Sequence, residues 1–248
     1  MAGRAVLVTG ASRGIGAATA RAFAADGDRV AVHFASSASS AAQTLESLAG
    51  SGHVLAPADL ADAAAVREMV DAVAGALGHI DVLVNNAGIY LPHPITAVSY
   101  EEWQDAWSRT LAVNLVGAAN ATWCAVQHMP DGGRIVNVAS RGAFRGEPNQ
   151  PAYGASKAAL ISFGQSMARA LGGRSIAVTT IAPGWTDTAM AAEALHGPTG
   201  ESRRQESPLG RAASPDEVAA AILYLASPQA EFATGAVLDF NGASHLRI

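Results

Sequence analysis

The chain has 248 residues, half of them hydrophobic, and a net charge of −5 at pH 7. That length can bury one large α/β core. The acidic balance excludes the basic footprint of a nucleic-acid surface, and no basic run points to an anionic membrane.

Strand and helix patterns alternate along the chain. Residues 5–9 (AVLVT) form a continuous β-rich run, as a strand buried on both faces requires. A helical pattern follows over 14–27 and stops at Gly27. Strands are predicted at 29–34 and 53–57, with a helix over 40–50 between them. A helix over 62–78, with Asp62 as its cap, leads to a strand and exit loop at 80–88. One long helix is predicted over 99–128, then a strand at 133–140 and a helix over 151–171. A strand and turn at 175–184 precede an irregular stretch, 185–213. Ser214 and Pro215 open a helix over 214–227, and 236–240 is the last strand. Helices between buried strands imply an α/β, doubly wound, mainly parallel sheet with right-handed crossovers. A single domain over 1–248 is expected. Residues 185–213 read either as a substrate lid or as a solvated loop, and their place after a strand's carboxyl end favours the lid.

Cys124 is the only cysteine, so no intrachain disulfide can form, which fits a reducing compartment. No apolar run is long enough to suggest a membrane span, and the N-terminal apolar stretch is too short for a signal peptide. A soluble cytoplasmic protein is expected. The histidines form no metal-ligand cluster, so no metal is expected.

The first strand runs into TGASRGIG, with Gly10, Gly14 and Gly16 ahead of a helix. Glycines let backbone approach a phosphate, and the helix N-terminus offers free N–H groups. The same turn could equally be an unliganded connection. Ser12, Arg13 and Ile15 complete this expected dinucleotide cradle. A site preferring NAD usually carries an acid near the end of the second strand. Here that place is Phe34, followed by Ser36 and Ser37, and no acid occurs before Glu46. An acid would repel a 2′-phosphate, whereas Arg13 and two serine hydroxyls would bind it, so NADP(H) is favoured over NAD(H).

Taken together, TGASRGIG, NNAG (85–88), Asn114, Ser140, YGASK (153–157), APG (182–184) and PLGRAASPDEVA (208–219) resemble the short-chain dehydrogenase/reductase family. The set spans the chain in the right order, and the nearest subtype is the 3-oxoacyl-[acyl-carrier-protein] reductase-like branch. The resemblance implies a Rossmann-type sheet of seven strands, order 3-2-1-4-5-6-7, with helices on both faces. It implies a catalytic group of Asn114, Ser140, Tyr153 and Lys157. In that group Lys157 also holds the nicotinamide ribose, and Asn114 positions a water in a proton relay. It places Asp59 and Leu60 at the adenine, and Asn86, Ala87 and Gly88 beside the ribose. It places Pro183, Gly184, Thr186 and Thr188 at the nicotinamide end. It also implies a homotetramer or homodimer built on the helices 99–128 and 151–171.

The chemistry can be argued from the residues as well. Reducing a carbonyl requires a proton donor for its oxygen, and an unperturbed tyrosine has a pKa of about 10. Tyr153 and Lys157 are four residues apart on one helix face, so the ammonium is expected to lower the phenol's pKa. Ser140 would hold the carbonyl oxygen beside Tyr153. The expected function is NADPH-dependent reduction of a ketone, a 3-oxoacyl thioester or a related small molecule. The alternatives are an NAD(+)-dependent alcohol or sugar dehydrogenase and a non-catalytic nicotinamide-binding regulator. Substrate contacts are expected from Phe144, Gln150 and Trp185, with Tyr90, Pro92, His93, Arg141, Arg145 and Met190 as further candidates.

Overall fold

The computed structural model describes residues 3–247; Met1, Ala2 and Ile248 fall outside the described residues. Its elements in chain order are β1 (Ala5–Val8), α1 (Gly14–Ala25), β2 (Arg29–Phe34), α2 (Ala38–Glu46), β3 (Val54–Pro57), α3 (Ala63–Leu77) and β4 (Val82–Asn85). There follow α4 (Tyr100–Leu111), α5 (Ala118–Gln127), β5 (Arg134–Val138), α6 (Gly142–Arg145), α7 (Pro151–Leu171) and β6 (Ala177–Pro183). The chain ends with α8 (Ala192–His196), α9 (Gly200–Arg204), α10 (Pro215–Leu225) and β7 (Val237–Phe240). The strands form one sheet in the order β3-β2-β1-β4-β5-β6-β7, and every pairing is parallel. This is the Rossmann-type order expected from the sequence.

Strand side chains alternate between faces, and the core divides accordingly. Leu7, Leu83 and Ile135 point to one side and pack on Val66, Val70 and Val73 of α3 and Ala121 and Ala125 of α5. Val6, Val8, Val82, Val84, Val136 and Val138 point to the other, against Ala20 and Phe23 of α1 and Val218 and Ile222 of α10. Apolar residues on both faces explain why these strands read as continuous hydrophobic runs. Capping boxes start α4 at Ser99 and α10 at Ser214, and Asp62 accepts from Ala64 and Ala65 at the start of α3.

Two sequence expectations change. The helix expected over 99–128 is interrupted by a π-helical segment, Ala112–Gly117, between α4 and α5. Periodicity near 3.6 carries no trace of a single wider turn, and such turns concentrate at functional positions. The stretch 185–213 is not wholly irregular, since it contains α8 and α9. Among the described residues, no helix is long and apolar enough to cross a membrane.

The strand order reverses between β1 and β4. Loops leaving neighbouring strands diverge there and open a crevice at the strands' carboxyl ends. Thr9 binds the two loops together: its Oγ1 donates to Val84 O and accepts from Asn86 N and Ala87 N.

Candidate active site

A cavity of about 820 Å³ occupies this crevice. Gly10, Ser12, Arg13, Gly14, Ile15 and Gly16 form its floor at the start of α1. Three of these positions require glycine. Gly10 has φ +64°, and a Cβ there would stand 2.8 Å from Ala87 Cα. Gly14 has φ +57°. A Cβ at Gly16 would overlap Gly10 O and the side-chain nitrogen of Asn86. That Asn86 nitrogen donates to Thr9 O and Gly10 O, which fixes the loop. The first turn of α1 has no side-chain cap and no acidic residue, so its N–H groups and positive dipole end face the cavity.

The sequence reading missed His33. It is buried at the end of β2, and its Nδ1 accepts the Gly10 N–H at 2.9 Å. Its other nitrogen must then carry the proton and donate to Ala58 O at 3.1 Å. The ring therefore ties the glycine loop to the end of β3. Burial lowers its pKa from 6.5 to about 4, against the raising effects of the Ala58 carbonyl and the Asp59 charge.

One end of the crevice holds Ser36, Ser37, Asp59 and Leu60. Arg13 is exposed and, among the described residues, joins no ion pair. The Asp59 carboxylate accepts from Ala61 N at 2.9 Å, so it shapes its own turn as well as facing the cavity.

At the other end stand Ser140, Tyr153 and Lys157. Ser140 follows β5, and its hydroxyl accepts from Gly142 N. Pro151 at the first turn of α7 fixes the helix start that carries Tyr153 and Lys157. Lys157 Nζ donates to Val138 O at 2.8 Å and lies 5.7 Å from the Tyr153 ring centre. Burial lowers the Lys157 pKa from 10.5 to about 8. Tyr153 moves in the direction opposite to the sequence expectation: desolvation raises it from 10 to about 12, although its hydrogen bond with Ser140 pulls downward. The reason is burial, which opposes the charged phenolate more strongly than the Ser140 hydrogen bond favours it, with the Glu147 charge adding to the rise.

Asn114 does not line the cavity but stands behind it, fully buried in the π-helical segment. Its Oδ1 accepts from Ile89 N at 2.8 Å, and its Nδ2 donates to Ile89 O at 3.0 Å and Ser156 Oγ at 3.2 Å. Its amide braces the loop after β4. A Cβ at Gly88 would meet both Asn114 Oδ1 (3.3 Å) and Lys157 Nζ (3.4 Å), so glycine lets these groups converge.

Asn86, Ala87, Gly88, Pro183, Gly184, Trp185, Thr186 and Thr188 line the cavity. Phe144 and Gln150 do not. Phe144 stacks on His245 beneath the Arg247 guanidinium, and Gln150 is buried at the start of α7. His93 is also structural: it accepts from Ala152 N at the head of α7 and donates to Leu91 O. Arg141 and Arg145 are engaged by Glu206 at 2.7 and 3.1 Å, and Glu206 also accepts from Arg203 and Trp185 Nε1. This cluster ties the segment after β6 to the loop after β5. Glu147, absent from the expected site residues, does line the cavity, as does Tyr90.

A family model described as Enoyl-(Acyl carrier protein) reductase matches residues 10–245. The chain is 39% identical over 244 residues to D-threitol dehydrogenase of Mycolicibacterium smegmatis, covering 97% of this chain and 92% of that one. It is 38% identical over 246 residues to the 3-oxoacyl-[acyl-carrier-protein] reductase of Thermotoga maritima, covering 97% of both chains. A solved short-chain dehydrogenase from Burkholderia cenocepacia, in complex with NADP, superposes with a TM-score of 0.87 at 37% identity over 97% of each chain. Sequence, sheet order and site geometry agree: the chain belongs to the short-chain dehydrogenase/reductase family of oxidoreductases.

Proposed function

We propose that the protein is an NADPH-dependent carbonyl reductase that converts a ketone, such as a 3-oxoacyl thioester or a related small molecule, to its alcohol. The observation that carries this reading is the convergence of Ser140, Tyr153 and Lys157 on one cavity whose other end is a glycine cradle. The cradle fits a dinucleotide, because the glycines at 10 and 16 let the loop pack tightly on Ala87 and Asn86, where a Cβ would collide, while the uncapped N–H groups of α1 face the cavity. The α1 N–H groups with Ser12 would hold the diphosphate, and Arg13, Ser36 and Ser37 the 2′-phosphate. Asp59 and Leu60 would meet the adenine, and Asn86, Ala87, Gly88 and Lys157 the ribose of the nicotinamide half. Pro183, Gly184, Thr186 and Thr188 would border the nicotinamide. When bound, the reduced nicotinamide supplies the hydride.

The chain's own residues supply orientation and the proton. Ser140 Oγ holds the substrate oxygen, and Tyr153, whose pKa near 12 keeps it protonated at neutral pH, donates to that oxygen. Lys157 is charged below about pH 8 and favours the transient phenolate. Asn114 keeps the Ile89 backbone in place behind both. Residues 185–213, held by Glu206, serve as the lid, and one domain carries the whole site. Small residues on α5 and α7 suit a homodimer or homotetramer in the cytoplasm, which light scattering and fractionation test.

The deciding assay follows NADPH oxidation over a panel of ketones. Tyr153→Phe should lower kcat by roughly 10²–10⁴-fold while NADPH still binds. Near-normal turnover in that variant refutes the assignment.

A further inference from the structure

Glu147 lies in the loop between α6 and α7, with its side chain 15% exposed. Among the described residues, its carboxylate accepts no hydrogen bond, and its only ion pair is a loose one with Arg145 Nε at 3.8 Å. The nearby guanidiniums are directed elsewhere, since Arg141, Arg145 and Arg203 all bond Glu206 at 2.7–3.1 Å. The position is built. A Cβ at Gly142 would come 2.5 Å from Glu147 Oε1, so glycine leaves the space that the carboxylate fills. Its charge bears on the reacting end of the cavity, raising the pKa of both Tyr153 and Tyr90. Tyr90 packs edge-on against Tyr153 at 4.9 Å, and its hydroxyl likewise has no hydrogen-bond partner among the described residues. An acceptor held in a half-dry site without a donor is costly unless the ligand brings one.

We propose that Glu147 determines specificity by accepting a hydrogen bond from a hydroxyl on the carbon chain beside the reacting carbonyl, so that the preferred substrates are hydroxylated ketones. Tyr90 offers a second polar contact to the same chain. A hydroxyl, rather than an ammonium, is the fitting donor. Arg141, Arg145 and Arg203 outnumber Glu147 and Glu206 around this end, and their field opposes a cation. The inference rests on carbonyl reduction at Tyr153 and narrows it away from unsubstituted acyl or alkyl ketones.

The test compares kcat/KM for erythrulose and for butan-2-one, which share a four-carbon ketone and differ in hydroxyls. The wild type should favour erythrulose by about 10- to 100-fold, the worth of a hydrogen bond to a charged group. Glu147→Ala should bring that ratio close to one, and Glu147→Gln, which keeps an acceptor, should restore part of it. An equal ratio in wild type and Glu147→Ala overturns the proposal, as does a wild-type preference for butan-2-one. If neither ketone is reduced, the catalytic reading is decided on the wider ketone panel, and calorimetric titration with erythritol and butan-2-ol decides the contact separately. Erythritol should bind the wild type at least tenfold more tightly than Glu147→Ala, with butan-2-ol indifferent to the change. Equal erythritol binding by both proteins overturns the proposal.

Discussion

Replacing His33 with Ala removes the acceptor for Gly10 N–H and the donor to Ala58 O in one step. Both partners are backbone groups that lose their water on folding, so each broken bond costs about 1 kcal/mol or more. The lost ring adds a cavity, and the sum at pH 7 is about 3 kcal/mol. The pKa supplies an independent magnitude. His33 falls from 6.5 to about 4 on folding. Between those values the unfolded chain binds more protons than the folded one, so stability rises with pH through the window. The neutral ring's contribution is complete above pH 6.5 and is lost as pH falls through about 4. The full swing is about 3 kcal/mol, of which about 2 kcal/mol disappears between pH 7 and pH 4.5. Urea unfolding of wild type and His33→Ala at a series of pH values reads this directly. The variant should be about 3 kcal/mol less stable at pH 7, a Tm loss of roughly 6–12 °C for a chain of this size. The gap should narrow by about 2 kcal/mol at pH 4.5. A gap of constant size across the range would refute the hydrogen-bonding account and leave only packing.

Lys157 should impose a basic limb on ketone reduction: the rate falls above about pH 8 as the ammonium discharges. Lys157→Arg should lower kcat and abolish that limb, and an unchanged pH profile of the rate would exclude the role. Gly16→Ala places a methyl group against Gly10 O and Asn86, so NADPH affinity should fall by at least tenfold, measured by fluorescence titration. Retained affinity would show that the loop yields at no cost. Ser36→Asp puts a negative charge at the end of β2, where no acid stands. It should shift the NADPH-to-NADH ratio of kcat/KM toward NADH by tenfold or more, and no shift would remove Ser36 from the 2′-phosphate site.

The parts of the fold that could be read from the sequence are those set by local chemistry. Strands buried on both faces carry unbroken Val, Leu and Ile runs, and helix starts carry Ser99, Asp62 and Ser214 with their backbone partners. Gly10 and Gly14 signal a turn because side chains rarely adopt their positive φ. What the sequence could not reveal depends on groups distant in the chain. His33 acts through Gly10 and Ala58, 23 and 25 residues away, and looks like any strand residue. Arg141 looks available for an acidic substrate until Glu206, from beyond β6, is seen to hold it. Phe144 sits in the short α6 and Gln150 caps α7, in a stretch whose pattern gives no rotation, and the fold turns Phe144 toward the C-terminal residues, away from the cavity. The direction of the Tyr153 shift is hidden from the sequence for the same reason. Spacing on a helix shows that a lysine is near, but not how much water both groups have lost.

Lys157 is the only lysine among 16 basic residues, and its surroundings explain why arginine does not replace it. The other deeply buried cations, Arg134 and Arg141, are matched by Glu231 and Glu206 and spread their donors over several partners. Lys157 is 3% exposed and, among the described residues, has no acidic partner. A guanidinium there would stay charged and present five donors to a space that supplies one carbonyl, that of Val138. An ammonium is compact, and its proton affinity can fall until burial is tolerable, here to about 8. The same fall brings the group close to the pH at which the enzyme would work. A buried arginine could hold charge but could neither give up a proton nor take one back. The choice of lysine thus follows from two conditions met at one position: a dry site with a single fixed acceptor, and a charge that can be released beside a phenol that the proposed reaction needs neutral until it gives up its proton.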